Sequence, residues 1–152
     1  MRVSPPSFPE QAATLGALLR RPYRQLSGRL YAEMAAQGFP EIRPAHSAVF
    51  RHIAPEGSRL TELAELADLT KQSMAYLLGY LEEHDYVSIG PDPADARAKR
   101  VRLTKRGNAF IKALLAASQR IEAEAGKIMG RAKMQQLREA LVALDQAIAE
   151  LP

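Results

Sequence analysis

The sequence predicts a mainly α fold with a small β-hairpin wing: a winged helix-turn-helix domain flanked by N- and C-terminal dimerisation helices. Three observations predict it. Residues 60–87 (LTELAELADLTKQSMAYLLGYLEEHDYV) carry two short amphipathic helices joined by a tight turn. Immediately behind them lie two short strand patterns around a Pro- and Asp-rich tip. Both ends of the chain then carry helix-period apolar patterns longer than such a domain requires.

In chain order, residues 1–9 hold Pro5, Pro6 and Pro9 and read as an extended arm, with no apolar stretch of the signal-peptide kind. A helix is expected from about Gln11 to Gln37, with Leu15, Leu18, Leu19, Leu26, Leu30 and Met34 as its stripe. Pro22 should kink it or split it in two, because proline lacks the N–H that continues the ladder. Gly38 ends it. A connector leads to a helix from about Pro44 to Ala54, with Pro44 suited to the first turn. Pro55-Glu56-Gly57 is a turn.

The helix-turn-helix follows. Leu60, Leu63, Ala64 and Ala67 form the apolar side of its first helix, with Thr61 as the expected N-cap. Thr70 caps the second helix, whose buried stripe is Met74, Leu77, Leu78 and Leu81. At 100° per residue the opposite face centres on Gln72, Tyr76 and Gly79, flanked by Lys71, Ser73, Ala75 and Tyr80. Its first two turns carry no acid; Glu82, Glu83 and Asp85 stand at the far end, about 16 Å on. A Gln can pair bidentately with adenine and a Lys can reach phosphate or guanine, so this is the polarity a groove-entering helix needs. Amphipathic helix pairs also occur in proteins that touch no nucleic acid, and the residues that follow decide between the two.

Tyr86 to Gly90 reads as a strand, residues 91–96 as a tip, and Lys99 to Leu103 as the returning strand, with Val101 and Leu103 alternating with Arg100 and Arg102. Residues 97–106 hold six cations (Arg97, Lys99, Arg100, Arg102, Lys105, Arg106) and no acid. A basic edge can simply discourage sheet-to-sheet pairing. Six cations in ten residues exceed that need, and phosphate contact along the strands with a guanidinium beside the minor groove is the stronger reading. A second basic cluster, Arg20, Arg21, Arg24 and Arg29, lies in the first helix of a chain whose net charge is +4.

From Thr104 a long helix should reach Met129, break at Gly130 and give way to a last helix over Arg131 to Leu151. Met134, Leu137, Leu141, Leu144, Ile148 and Leu151 are spaced 3-4-3-4-3, a packing stripe between helices. It could close a hairpin within one chain, but its length favours a homodimer, and two-fold dimers are the commonest oligomers. The expected organisation is an arm and dimerisation helix over 1–37, a winged helix-turn-helix over 38–107, and dimerisation helices over 108–152.

Composition excludes other chemistries. The chain has no cysteine, which removes disulfides and thiolate nucleophiles, and its three histidines fall on three different predicted elements. Phosphate-loop, nucleophile-elbow and HExxH patterns are missing from the sequence, so neither an enzyme nor a cofactor or metal is expected. No stretch is long and apolar enough to span a membrane, and cytoplasmic residence is the expectation.

Residues 60–87, followed by DPADARAKRVRLTKRG, resemble the MarR family of bacterial winged-helix regulators over about Phe39 to Gly107. Most specific are Asp92-Pro93-Ala94-Asp95-Ala96-Arg97, then Leu103-Thr104 and Gly107. The resemblance implies a homodimer gripping double-stranded DNA at a pseudo-palindromic operator, most often as a repressor. It places Lys71, Gln72, Ser73 and Tyr76 in the major groove, capped by Thr70, with Lys99 on the basic wing. Arg97 would enter the minor groove, oriented by an ion pair from Asp95. It also implies a small phenolic or aromatic effector near Tyr23, Tyr31, Phe39, His46 and Phe50; any one of them reads first as a core aromatic with a satisfied polar tip, and the His46 imidazole is the best single contact for a carboxylate. Asp68 and Asp85 stand where the family often has Gly, and Asp tolerates left-handed backbone. A winged-helix protein-interaction module without DNA binding is the alternative; acids at the recognition-helix N-terminus or a neutral wing would mark it, and the sequence has neither.

Overall fold

The computed structural model describes residues 13–152, so the expected arm over 1–9 and the helix start at Gln11 lie outside the described residues. Helix α1 (Leu15–Ala36) begins where the Thr14 hydroxyl accepts the Ala17 N–H at 3.3 Å. Pro22 does not split it. In the second turn a proline forfeits one ladder bond while the turns on either side keep theirs. Gly38, at φ +100°, turns the chain out of the helix.

The single helix expected over Pro44 to Ala54 is shorter. A 3₁₀ turn, Pro44–His46, runs into α2 (Ser47–Phe50), one α-turn long. Two local bonds explain the difference. His46 Nδ1 accepts the Arg43 N–H at 2.9 Å, closing the tighter turn, and the Ala54 N–H donates to Ser58 Oγ at 3.0 Å. Pro55 behind Ala54 disfavours helical backbone there as well.

Strand β1 (Ser58–Arg59), two residues long and invisible to a periodicity argument, was not expected. It pairs antiparallel with a later strand, Ser58 against Val101 and Arg59 against Arg100. Gly57 makes the approach possible. It lies at φ +93°, and a Cβ there would stand 2.6 Å from the Val101 carbonyl oxygen.

Helix α3 (Leu60–Leu66) starts one residue before the expected Thr61 cap: Arg59 is the N-cap, and the Glu62 carboxylate accepts its N–H at 2.8 Å. Asp68 then takes φ 52°, and the chain enters α4 (Lys71–Glu83), where the Thr70 hydroxyl accepts the Ser73 N–H at 3.1 Å. Met74, Leu78 and Leu81 are buried and Leu77 half-buried, as the stripe requires. Asp85 leaves the helix at φ 60°.

Strands β2 (Val87–Asp92) and β3 (Asp95–Leu103) complete a three-stranded antiparallel sheet in the order β1-β3-β2. Pairing extends beyond the expected strands, leaving Pro93 and Ala94 as the turn rather than the whole of 91–96. Helix α5 (Lys105–Met129) is capped by Thr104, whose hydroxyl accepts the Gly107 N–H at 3.0 Å. The core gathers Phe39, Phe50, Tyr86 and Phe110, with Phe50 and Phe110 centroids 4.6 Å apart.

The chain divides into two compact units, residues up to Leu115 and Ala116–Pro152. In the second, Gly130 at φ +92° ends α5 and starts α6 (Arg131–Ala149), and Arg138 pairs with Glu122. Helix α6 buries no residue, and Leu137, Leu141, Ile148 and Leu151 are exposed. On α1, Leu15, Leu18, Leu19 and Leu26 are exposed too. Among the described residues no helix is long and apolar enough to cross a membrane.

Candidate nucleic-acid interface

The first two turns of α4 present Lys71, Gln72, Ser73 and Tyr76 to solvent, Tyr76 at 78% exposure. Thr70 is exposed as well, and its hydroxyl also donates to Ser73 Oγ at 2.9 Å. The capping bond leaves the side chains further along the helix to face outward. Beside them Ala45, Ala48, Ala67 and Leu69 join Gln72 and Tyr76 around an open cleft of about 620 Å³. An apolar floor under an amide and a phenol suits a thymine methyl as well as a base edge.

The wing's charge is sorted by structure. Arg100 does not point outward as the period-two pattern suggests. It donates to the Gly57 carbonyl at 2.9 Å and lies 3.4 Å from Asp92. Arg106 is likewise committed, to Glu41 at 2.9 Å and over the Tyr86 ring at 4.6 Å. Arg97 and Lys99 are exposed. Asp95 Oδ1 accepts the main-chain N–H of Arg97 at 3.0 Å, so this hold on the tip runs through backbone rather than through the expected guanidinium contact.

Asp92, which sequence reasoning treated only as a motif residue, is 2% exposed. Its Oδ2 accepts from Arg59 Nε at 2.8 Å, and its Oδ1 from the Ala94 N–H at 2.9 Å. The Arg59 bond, then the Ala94 N–H and Arg100, outweigh burial and bring its pKa down to about 2. Glu41 is a second hub, accepting from the Tyr86 phenol at 2.8 Å and from Arg106. Burial would raise its pKa, but its own amide, Tyr86 and Arg106 together hold it below the ordinary carboxylate value. Neither hub has a sequence signal: each joins residues more than thirty positions apart.

The expected effector residues divide. Tyr23 is exposed and Tyr31 half-buried, its phenol pKa raised by burial. Phe39 and Phe50 are packed into the aromatic core. His46 is buried, with one nitrogen accepting from Arg43 and its ring stacked on Tyr80. Among the described residues no group of three side chains could hold a metal ion.

Two antiparallel strands behind a capped helix pair define a winged helix-turn-helix. Residues 42–98 match the model of the MarR family. A curated relative, the exopolysaccharide II synthesis transcriptional activator ExpG of Rhizobium meliloti (strain 1021), is 29% identical over 93 residues, 61% of this chain. The chain spans about half the length of that relative, 48%. The fold is shared with MarR family transcription regulator SP03579 (TM-score 0.71, 18% identity, 93% of this chain and 89% of that one). It is also shared with the transcriptional repressor CouR, solved bound to a 23-mer DNA duplex (TM-score 0.69, 23% identity, 97% of this chain and all of that one).

Proposed function

We propose that the protein is a homodimeric, sequence-specific DNA-binding transcription regulator that acts as a repressor and is relieved by a small aromatic or phenolic effector. One observation carries the DNA reading: an exposed, acid-free tip on α4 and an exposed Arg97 and Lys99 on the hairpin belong to the same compact unit. Lys99 and its neighbours supply phosphate contacts, Gln72 and Tyr76 read base edges, and Arg97 reads the minor groove. CouR, a repressor solved bound to DNA, supports the partner and the sign of regulation by likeness of fold. ExpG is an activator, so the sign of regulation is read directly from transcription at a promoter carrying the site.

The exposed leucines of α1 and α6 support a homodimer, because their burial against a second copy removes apolar surface from water. Two winged units related by a two-fold axis then meet half-sites about 34 Å apart. Tyr31, half-buried on α1, is the aromatic side chain offered for contact with an effector.

Selection of duplexes from a random-sequence library, followed by titration of the selected duplex at several salt concentrations, tests this. The expected result is an inverted-repeat consensus and an affinity that falls steeply with salt. Failure to enrich any consensus, or an affinity flat in salt, would overturn the reading. Transcription from a promoter carrying the selected site distinguishes repressor from activator.

A further inference from the structure

We propose that Asp92 is the positioning residue of the wing: its buried carboxylate fixes where Arg97 is carried relative to the recognition helix. This rests on the DNA-binding reading above for its consequence, but not for its geometry.

Pairing between β2 and β3 runs in step from Val87 against Leu103 to Pro91 against Lys99. The next pair is Asp92 against Asp95, with a register shift between Pro91 and Asp92. Residues 96–98 of β3 therefore have no partner on β2 and form a bulge, and Arg97 is its middle residue. Bulges re-aim the side chains they carry, and this one sits opposite Asp92. A bulged strand has fewer ladder bonds to hold it, so its direction depends on what anchors its ends.

Asp92 is that anchor. Through Ala94 N–H at 2.9 Å it closes the turn that hands β2 to β3. Through Arg100 at 3.4 Å it ties the middle of β3. Through Arg59 Nε at 2.8 Å it ties the residue that is both the end of β1 and the N-cap of α3, the first helix of the helix-turn-helix. One carboxylate thus joins the wing turn, the central strand and the base of the reading head. Arg59 is pinned in turn by Glu62, which accepts its N–H at 2.8 Å. Arg100 accepts a buried Nε without a hydrogen-bond partner in order to make its contacts, a geometry that a mere surface charge pair does not need. The pair stays charged over the physiological range because Arg59, then Ala94 and Arg100, hold the Asp92 pKa low.

The natural chain has no cysteine, so labels can be placed singly. Spin labels at Arg97→Cys and Ala75→Cys, diluted with unlabelled chain, report the wing-to-helix distance by pulsed dipolar spectroscopy without DNA. A narrow distribution is expected in the parent and a clearly broadened or shifted one with Asp92→Asn. An unchanged distribution overturns the proposal. Arg59→Gln, which removes only the link to α3, is the second variant should Asp92→Asn unfold, with the same expected result and the same overturning one.

On the selected duplex, Asp92→Asn and Arg97→Ala are each expected to weaken binding about tenfold. The double variant should be no weaker than Arg97→Ala alone, because a positioning residue acts only through the side chain it positions. Losses that multiply would mean Asp92 serves general stability, and the proposal falls while DNA binding stands. If no duplex binds the parent, the functional reading falls, and the label distances still decide the role of Asp92.

Discussion

His46 and Tyr80 lie ring on ring, centroids 4.8 Å apart and planes 14° from parallel, and His84 stacks on the same tyrosine at 4.2 Å. His46 is buried and its Nδ1 must keep a lone pair to accept the Arg43 N–H. Burial, then the charges of Arg43 and His84, depress its pKa below the ordinary 6.5. The sign follows. The unfolded chain takes up a proton near 6.5 while the folded chain resists it, so His46 favours folding above that pH and costs stability as pH falls below it. Urea unfolding midpoints should fall as pH drops from about 6.5, with a slope of at most one proton. His46→Asn should flatten that part of the profile, and an equally steep profile in the variant would assign the effect elsewhere.

Tyr86 is fully buried, and its phenol donates to Glu41. Burial first, and the Glu41 bond second, push its pKa well above the ordinary value, so it remains a donor throughout the usable pH range. Tyr86→Phe keeps the ring that packs on Phe39 and Phe110 but takes a donor from a carboxylate that also serves Arg106. Glu41 is partly solvated, so the cost is about 1–2 kcal/mol rather than that of a fully buried charge. Chemical denaturation at neutral pH measures it. A neutral result would show that water replaces the phenol.

What could be read in advance follows the reach of each interaction. The α4 cap and stripe, the αL positions Asp68 and Asp85, and the Thr104 start of α5 are local, set by residues within one or two turns, and the chain spells them out. Strand β1 was illegible because two residues hold no period; its pairing with β3 is set by Gly57 and Arg100, some forty positions apart. The same holds for the candidate interface. The α4 tip was readable from the helical wheel, whereas the division of the cationic run into outward and inward-committed arginines depended on Asp92 and Glu41, which only the tertiary fold brings near. The helix expected through Ala54 failed for a third reason, a serine and a proline that outbid the helical ladder.

Gly107 sits in the first turn of α5 against the backbone of Tyr86. A Cβ there would stand 2.1 Å from the Tyr86 carbonyl oxygen, a contact that side-chain rotation cannot relieve. Gly107→Ala should therefore destabilise by about 3 kcal/mol or more, despite alanine's better helix propensity. Gly126 is the control on the same helix: a Cβ meets only Met134, at 3.6 Å, and Gly126→Ala should be neutral or mildly stabilising. Thermal melts of the two variants should shift in opposite directions, or by clearly unequal amounts.

Leu141 is 40% exposed on a helix that buries nothing. If a second copy covers it, Leu141→Arg places a charge in an apolar interface and should dissociate the dimer or prevent its formation. Sedimentation equilibrium gives the outcome. A variant that remains a dimer of unchanged affinity would remove α6 from the proposed interface.

Gln72 and Lys71 are adjacent on the exposed tip of α4 and should differ in kind. A glutamine amide can donate to one atom of adenine and accept from another, so Gln72→Ala should cost about 1–3 kcal/mol on the preferred duplex and relax preference at one base pair. Lys71→Ala removes a point charge. It should weaken all duplexes about equally and reduce the slope of log affinity against log salt by roughly one counterion. The comparison is decisive because neither side chain holds the fold: the cap that sets their direction belongs to Thr70 and the core stripe to Met74 and Leu78. Binding titrations against the selected duplex and single-base variants of it, at two salt concentrations, separate the two effects. Equal loss on every duplex for Gln72→Ala would make it a backbone contact and move base reading to Tyr76 and the apolar cleft beside it.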